Sequence, residues 1–361
     1  MSIQDKLGII LITYNRKNYL QRTFDQIFAD NSPIKNFDIT ILDNKSTDGT
    51  SELIEQYGKN FPNIKHIIHN HNIGGNANIV RAFELASKEY IWVLCDDDVY
   101  DWSNWGEVEK AIYNNENIIC LARYALHDSK KTEAIILQLT FVPANIIKTS
   151  LLNGSMIKSM YDNIFAFFPQ LLPTIYAVNN KLKIYVVEKP IVHNGMDPRA
   201  IDSGCQRGTE KQYMSQRSLT MTWITGYANL CSMIQNKKLK HKTMLCGINF
   251  IHGNFSKFCK NMHALYFEKK NWFQIIDIIS PLDTVSKLKL FFSLLRRHFI
   301  GACTENDSFV VRLLLFKIKF KIKKYIEGDY IVIDFNFMKA KKHIEKQNIL
   351  LNIFHREFKI K

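Results

Sequence analysis

Ile91-Trp92-Val93-Leu94-Cys95-Asp96-Asp97-Asp98 runs from an apolar stretch straight into three consecutive acids. The apolar part suits a buried strand, and the acids mark its end. On an extended chain, residues i and i+2 leave the same face, so Asp96 and Asp98 point the same way. Two carboxylates so placed repel unless a cation sits between them. A hard divalent ion fits there, and Mg²⁺ characteristically uses one or two carboxylates together with substrate phosphates. A solvated acidic turn after a strand is the plainer alternative.

The upstream sequence decides between the two. Gly8 to Thr13 is a short, continuous apolar run of the kind found in strands buried on both faces. Asn18 to Phe28 has helical spacing, with Leu20, Phe24, Ile27 and Phe28 on one side. Phe37 to Leu42 predicts a second strand, followed by the turn and cap residues Asp43 to Thr50. Ser51 to Tyr57 predicts a helix and Ile64 to Ile68 a third strand. The small polar loop Asn72 to Asn78 precedes a helix over Ile79 to Ala86, and Tyr90 to Leu94 is the fourth strand. Alternation of strand and helix defines an α/β domain with a largely parallel sheet, Rossmann-like and flanked by helices. Ligands of such sheets bind beyond the carboxyl ends of the strands. The three polar clusters, Thr13 to Arg16, Asp43 to Asp48 and Asp96 to Asp98, should therefore converge on one edge.

With Ile12-Thr13-Tyr14-Asn15-Arg16, Leu42-Asp43-Asn44-Lys45-Ser46-Thr47-Asp48-Gly49-Thr50, Asn72-Ile73-Gly74-Gly75 and Asp96-Asp97-Asp98 in this order, the chain resembles a family 2 glycosyltransferase of the GT-A fold. The likeness covers roughly residues 7 to 195. It implies an inverting, metal-dependent transferase of the bacterial surface-glycan type, using Mn²⁺ or Mg²⁺. By that resemblance Thr13, Tyr14 and Asn15 belong to the site for a nucleoside-diphosphate sugar. Asp43 meets the pyrimidine ring, and Asn72 and Gly74 belong to the loop that leads to Arg81, a contact for the donor diphosphate. Asp96 and Asp97 complete the donor site, with Asp96 facing the ribose or the metal, and Asp98 holds the ion. A leaving nucleoside diphosphate develops negative charge, and a metal ion and a guanidinium stabilise it without proton transfer. The resemblance makes His193, after the strand-like Ile184 to Val187, a third metal ligand, which would favour manganese. The polar, glycine-punctuated stretch from Asp197 to Gly208 reads either as a loop covering the donor, with Arg199 or Arg207 reaching the diphosphate, or as plain surface.

The likeness breaks at the general base. The Glu-Asp pair that inverting members carry falls here on Pro169-Gln170, within Tyr161-Asp162-Asn163-Ile164-Phe165-Ala166-Phe167-Phe168-Pro169-Gln170-Leu171-Leu172. An amide accepts no proton near neutral pH. Asp162 is the preferred substitute; Asp197, Asp202 or an already ionised acceptor are the alternatives. The missing acid also keeps open a non-catalytic nucleotide-sugar-binding or scaffold protein of glycan assembly. A nucleotidyltransferase would need a basic phosphate-binding signature near the N-terminus, and Thr13 to Lys17 does not provide one.

Charge divides the 361 residues. Residues 1–230 carry 23 Lys and Arg against 24 Asp and Glu, a net of −1, whereas residues 231–361 carry 25 against 10, a net of +15. A boundary near 230 is expected, with a nucleotide-sugar-binding domain before it and a basic, mainly helical module after it. Lys287 to Phe299 and Val310 to Lys324 mix basic and large apolar residues; Lys317 to Lys323 alternates strictly and also fits a strand. Neither run reaches the roughly eighteen apolar residues of a spanning helix. Basic amphipathic elements suit an anionic membrane surface, and a solvated helical subdomain is the alternative. No nucleic-acid reading motif accompanies the charge. Seven scattered cysteines without a Cys-x-x-Cys pair, and a first strand that begins by Gly8, fit a cytoplasmic protein peripheral to the inner membrane face. The expected acceptor is a glycan or a lipid-linked glycan.

Overall fold

The computed structural model describes residues 2–121, 131–193, 216–259, 278–305, 308–313, 316–321, 323–327, 330–334, 338–343, 349–353 and 356–360. The chain forms two compact units, Met1–Phe255 with Trp272–Asp283, and Ser256–Asn271 with Thr284–Lys361.

The first unit opens with α1 (Ile3–Lys6), β1 (Leu7–Thr13), α2 (Lys17–Ile27), β2 (Ile39–Asp43), α3 (Thr50–Asn60), β3 (Ile64–Ile68), α4 (Gly75–Glu84) and β4 (Tyr90–Cys95). This is the strand–helix alternation the apolar periodicity predicts. Leu20, Phe24 and Ile27 recur at helical spacing on α2 and are fully buried. Tyr90, Ile91, Trp92, Val93 and Leu94 are all buried, as a strand covered on both faces requires. The Trp92 indole N–H donates to the Pro143 carbonyl at 2.8 Å, and the Tyr90 hydroxyl to the Glu116 carbonyl at 2.9 Å. Each large apolar side chain buried this way stabilises the fold by about 1.5–3 kcal/mol, and Trp92→Ala is expected to cost about 3–5 kcal/mol.

The sheet continues through β5 (Val99–Tyr100), α5 (Trp105–Tyr113), β6 (Ile118–Cys120), α6 (Thr132–Gln138), β7 (Asn145–Lys148), α7 (Gly154–Asp162), α8 (Leu172–Asn179), β8 (Ile184–Val186) and β9 (Val192–His193). Seven strands lie in the order β3-β2-β1-β4-β7-β6-β8. Pairings β1–β2, β1–β4, β2–β3 and β6–β8 are parallel, and β7 runs antiparallel to both neighbours. The register sets Thr13 beside Asp43, Ile12 beside Cys95 and Asp43 beside Ile68. Four strand ends, of β1 to β4, thus finish level, and the polar clusters after them share one edge. β5 and β9 form a separate two-stranded ribbon in which Val99 faces His193.

Helices α9 (Gln216–Ser232) and α10 (Lys237–His252) complete the described part of this unit and pack on each other; α10 also packs on α6. The composition shift near residue 230 therefore falls inside α9. Gly226 lets α9 approach the main chain closely: a Cβ there would lie 2.0 Å from the Ala166 carbonyl oxygen.

In the second unit, α11 (Thr284–Phe299) matches the helix expected over Lys287 to Phe299. From Ile300 onward the described residues are antiparallel strand, in one three-stranded and one five-stranded sheet, where the basic module was expected to be mainly helical. The strict alternation that also fitted a strand is the pattern that holds, with Phe316–Lys321 as one of these strands. No helix among the described residues is long and apolar enough to cross a membrane.

Candidate active site

Three loops interlock at the carboxyl edge of the sheet. Asn15, in a left-handed backbone conformation (φ 51°), accepts at its side-chain oxygen from the Thr47 amide at 2.7 Å, and its own amide donates to Ser46 Oγ at 2.9 Å. Asn tolerates that conformation better than other non-glycine residues. Asp48 accepts from the Lys17 amide at 3.0 Å, at the start of α2. Asn44 Nδ2 donates to Asn72 Oδ1 at 2.8 Å, and the same oxygen accepts from the Gly74 amide at 2.8 Å. The loops after β1, β2 and β3 are thereby clasped by side-chain oxygens that take up backbone N–H groups.

The acidic turn lies in the middle of this edge. The Thr13 hydroxyl donates to Asp96 Oδ2 at 2.7 Å, and Arg16 Nη1 to Asp96 Oδ1 at 3.1 Å and to Asp97 Oδ2. Helix α2 braces the turn from beneath: the Thr23 hydroxyl donates to the Asp96 carbonyl at 2.9 Å, and Gln26 Nε2 to the Asp98 carbonyl at 3.1 Å. Gln26 Oε1 accepts from the Tyr100 amide at 3.0 Å. Asp96 and Asp98 are buried, whereas Tyr14 is 41% exposed and Ile73 42% exposed. The rim thus combines exposed apolar side chains with buried acids.

Burial pushes the Asp96 carboxyl up to about 6, and its neighbour Asp97 adds to the rise; Arg16 and the Thr13 hydroxyl pull the other way. Burial works against the charge of Arg16 too, but Asp96 and Asp97 outweigh it and raise its pKa. Asp43 is the converse case. It has no exposed surface, and Oδ1 accepts from the Ser46 amide at 2.8 Å and the Ser46 hydroxyl at 2.6 Å. Oδ2 accepts from the Ser51 hydroxyl at 3.0 Å, with His66 Nε2 at 3.8 Å. Burial alone would raise its pKa, but His66, Ser46 and Ser51 together hold the carboxyl below the usual range. Asp43 thus holds its own loop in shape.

The expected residues divide accordingly. Thr13, Tyr14, Asn15, Asp43, Asn72, Gly74, Asp96, Asp97 and Asp98 all belong to the rim or the strand ends beneath it. Arg81 lies on α4 and pairs with Glu84 at 2.7 Å; the Tyr161 hydroxyl donates to the same Glu84 oxygen, also at 2.7 Å. Asp162 ends α7, exposed, in an ion pair with Lys158 four residues earlier at 2.5 Å. Asn76 Nδ2 donates to the Ile164 carbonyl at 2.7 Å, which ties the segment after Asp162 to the first turn of α4 and so to the glycine loop. Gln170, in the position of the missing acid, is buried and donates to the Thr140 carbonyl at 2.6 Å. Arg199, Arg207, Asp197 and Asp202 lie outside the described residues. Arg16, Ser46 and His66 have structural parts that the sequence did not assign. Arg16 stood inside a quoted motif, but no local spacing connects it with acids eighty residues later.

No group of three or more His, Cys, Asp and Glu side chains is placed to hold a metal ion among the described residues. The set Asp96, Asp98 and His193 does not fit one in this arrangement. The oxygens of Asp96 are bonded to Thr13 and Arg16, and His193 is exposed on β9. The cation lying between the carboxylates of Asp96 and Asp97 is Arg16.

The mostly parallel sheet, with level strand ends that carry clasped polar loops and a buried acidic turn, has the GT-A fold. Residues 8–168, a little under half of the chain, match the glycosyl transferase family 2 profile. The abequosyltransferase RfbV of Salmonella typhimurium is 35% identical over 94 residues, 26% of this chain and 28% of its own length. The GalNAc(5)-diNAcBac-PP-undecaprenol beta-1,3-glucosyltransferase of Campylobacter jejuni is 31% identical over 94 residues, 26% of this chain and 30% of its own length. The match thus spans less than a third of these curated relatives. The crystal structure of S. aureus TarS 1-349, at 14% identity, superposes with a TM-score of 0.51, covering 88% of this chain and 99% of that one. The likeness to TarS shows the fold.

Proposed function

We propose that the chain moves a sugar from a nucleoside-diphosphate donor to a surface glycan or its lipid-linked precursor, with inversion at the anomeric carbon. The observation that carries this is the acidic turn Asp96–Asp98 at the end of β4, clasped to Thr13 and Arg16 at the edge where strands β1, β2 and β4 finish level. Relatives named for sugar transfer, among them the abequosyltransferase and the undecaprenol-linked glucosyltransferase, support the reaction class. TarS 1-349 has been crystallised with UDP-GlcNAc, which supports a nucleotide sugar as donor class. The exposed faces of Tyr14 and Ile73 would take the base.

Asp162 is the proposed base, because its segment is tied to the glycine loop through Asn76 and because Gln170 is an amide sealed in the protein. An exposed carboxylate at a helix end is within reach of an incoming hydroxyl from solvent. The sealed Gln170 also supports a second reading, a domain that binds a nucleotide sugar without turning it over. Incubation with a panel of nucleotide sugars, Mn²⁺ and cell extract as acceptor distinguishes the two. Release of nucleoside diphosphate from at least one donor is expected, and release from none would overturn the transferase reading.

The basic region is proposed to hold the enzyme, as a peripheral protein, at the inner, anionic face of a cytoplasmic membrane, where a lipid-linked acceptor would be found. Its net charge of +15 over residues 231–361 supports this. Sedimentation with vesicles containing anionic lipid should carry the protein down, and added salt should release it. Equal binding to neutral vesicles would refute the placement.

A further inference from the structure

We propose that Arg16 is the resident cation of the acidic turn and that it exchanges those carboxylates for the donor's diphosphate. This rests on the donor class proposed above. The geometry of the guanidinium is the starting point. Nη1 alone makes both carboxylate contacts, to Asp96 and to Asp97. Nε and Nη2 donate to no group among the described residues, which leaves three N–H donors, two of them side by side on the Nε–Nη2 edge of the fork. The group keeps 28% of its side-chain surface exposed and sits 5.3 Å from the Tyr19 ring, so its plane is held while that edge remains open. An open guanidinium edge is shaped for two oxygens of a phosphate.

Two consequences follow for ligands of the same turn. A divalent cation arriving alone must displace Arg16 from Asp96 and Asp97, because two cations compete for the same oxygens. A diphosphate arriving alone gains a partner in Arg16. Arg16 therefore lowers the affinity for a free cation and raises the affinity for a free nucleotide. A residue that merely supports the loop would change both in the same direction when removed, and a spectator would change neither.

The test measures the two affinities separately on the full chain. Mn²⁺ binding without nucleotide is followed by the electron paramagnetic resonance of free Mn²⁺. Binding of UDP and of GDP in EDTA is followed by calorimetry. For R16Q, Mn²⁺ affinity should rise about tenfold and nucleotide affinity should fall about tenfold, the scale of one charge-assisted hydrogen bond. Loss of both, or no change in either one, overturns the proposal. R16K keeps the charge without the fork, so it should hold Mn²⁺ as weakly as the wild type and bind nucleotide less well. If R16Q fails to fold, R16K decides: tightened Mn²⁺ binding or undiminished nucleotide binding refutes the exchange. Wild-type protein that binds neither UDP nor GDP, with or without Mn²⁺, would instead sink the donor assignment itself.

Discussion

The rim of the sheet and its helical flank treat charge differently. On the rim, Asp43, Asp96 and Asp98 are buried; Thr13 and Arg16, from a loop distant in sequence, hold Asp96, and Ser46 and Ser51 hold Asp43. On the flank, Arg81 pairs with Glu84 three residues on and Asp162 with Lys158 four residues back, all substantially exposed. Burial makes Asp43 and Asp96 dependent on their neighbours and shifts their proton affinities; exposure leaves the flank charges screened and replaceable. A catalytic constellation benefits from both, since donor charge needs a fixed frame and an acceptor needs an accessible base.

The largest effect is expected at Asp98. Asp98→Ala should lower nucleoside-diphosphate release by about 10²–10³-fold, the scale of losing one preorganised electrostatic contact. Retained full turnover in a donor-hydrolysis assay would erase the distinction for the acidic turn. At the flank, Asp162→Asn should reduce transfer about 10²-fold or more while leaving the unfolding midpoint in urea in place. A shifted midpoint with intact transfer would make Asp162 a structural residue instead.

Asp43→Ala should cost about 1–3 kcal/mol in chemical denaturation, because it strands the part-buried donors of Ser46 and Ser51. The same carboxylate sets an acid limit. Its folded pKa lies below its unfolded value of 3.8, so its contribution is complete above that value and is lost as pH falls through the folded pKa. Thermal melts between pH 5 and 2 should show a drop that Asp43→Asn lessens. Lys158→Ala, which removes only a surface pair, should change stability by about 0.3–0.5 kcal/mol, a value that differential melting of the two proteins measures.

The parts of the fold legible in sequence were those with one dominant period. β1 to β4 are apolar runs bounded by turn residues, and α2 repeats its apolar face at helical spacing, so each declares itself. β6 and β7 were not anticipated: Ile118–Cys120 and Asn145–Lys148 are three and four residues long, too short for periodicity to act. In the basic region, large apolar residues among lysines suggested helix over Val310 to Lys324, and only the alternation within it indicated the strand that forms. At the candidate site, the residue types and their common edge were readable because strand ends in a parallel sheet gather their loops. Partnerships were not. That Arg16 stands between Asp96 and Asp97, or that Asp43 is sealed by Ser51 and His66, depends on contacts across loops that no local spacing encodes.

The brace beneath the acidic turn has a practical meaning. Thr23 and Gln26 hold main-chain carbonyls, of Asp96 and Asp98, not the acids themselves. The path of the polypeptide at this spot is thus anchored independently of the side chains it displays. An engineer can rewrite positions 96 to 98 and still expect the backbone to follow the same route, so altered variants report on chemistry instead of collapse. Changing Gln26 inverts that logic: every acid stays, and the platform that aims them is loosened.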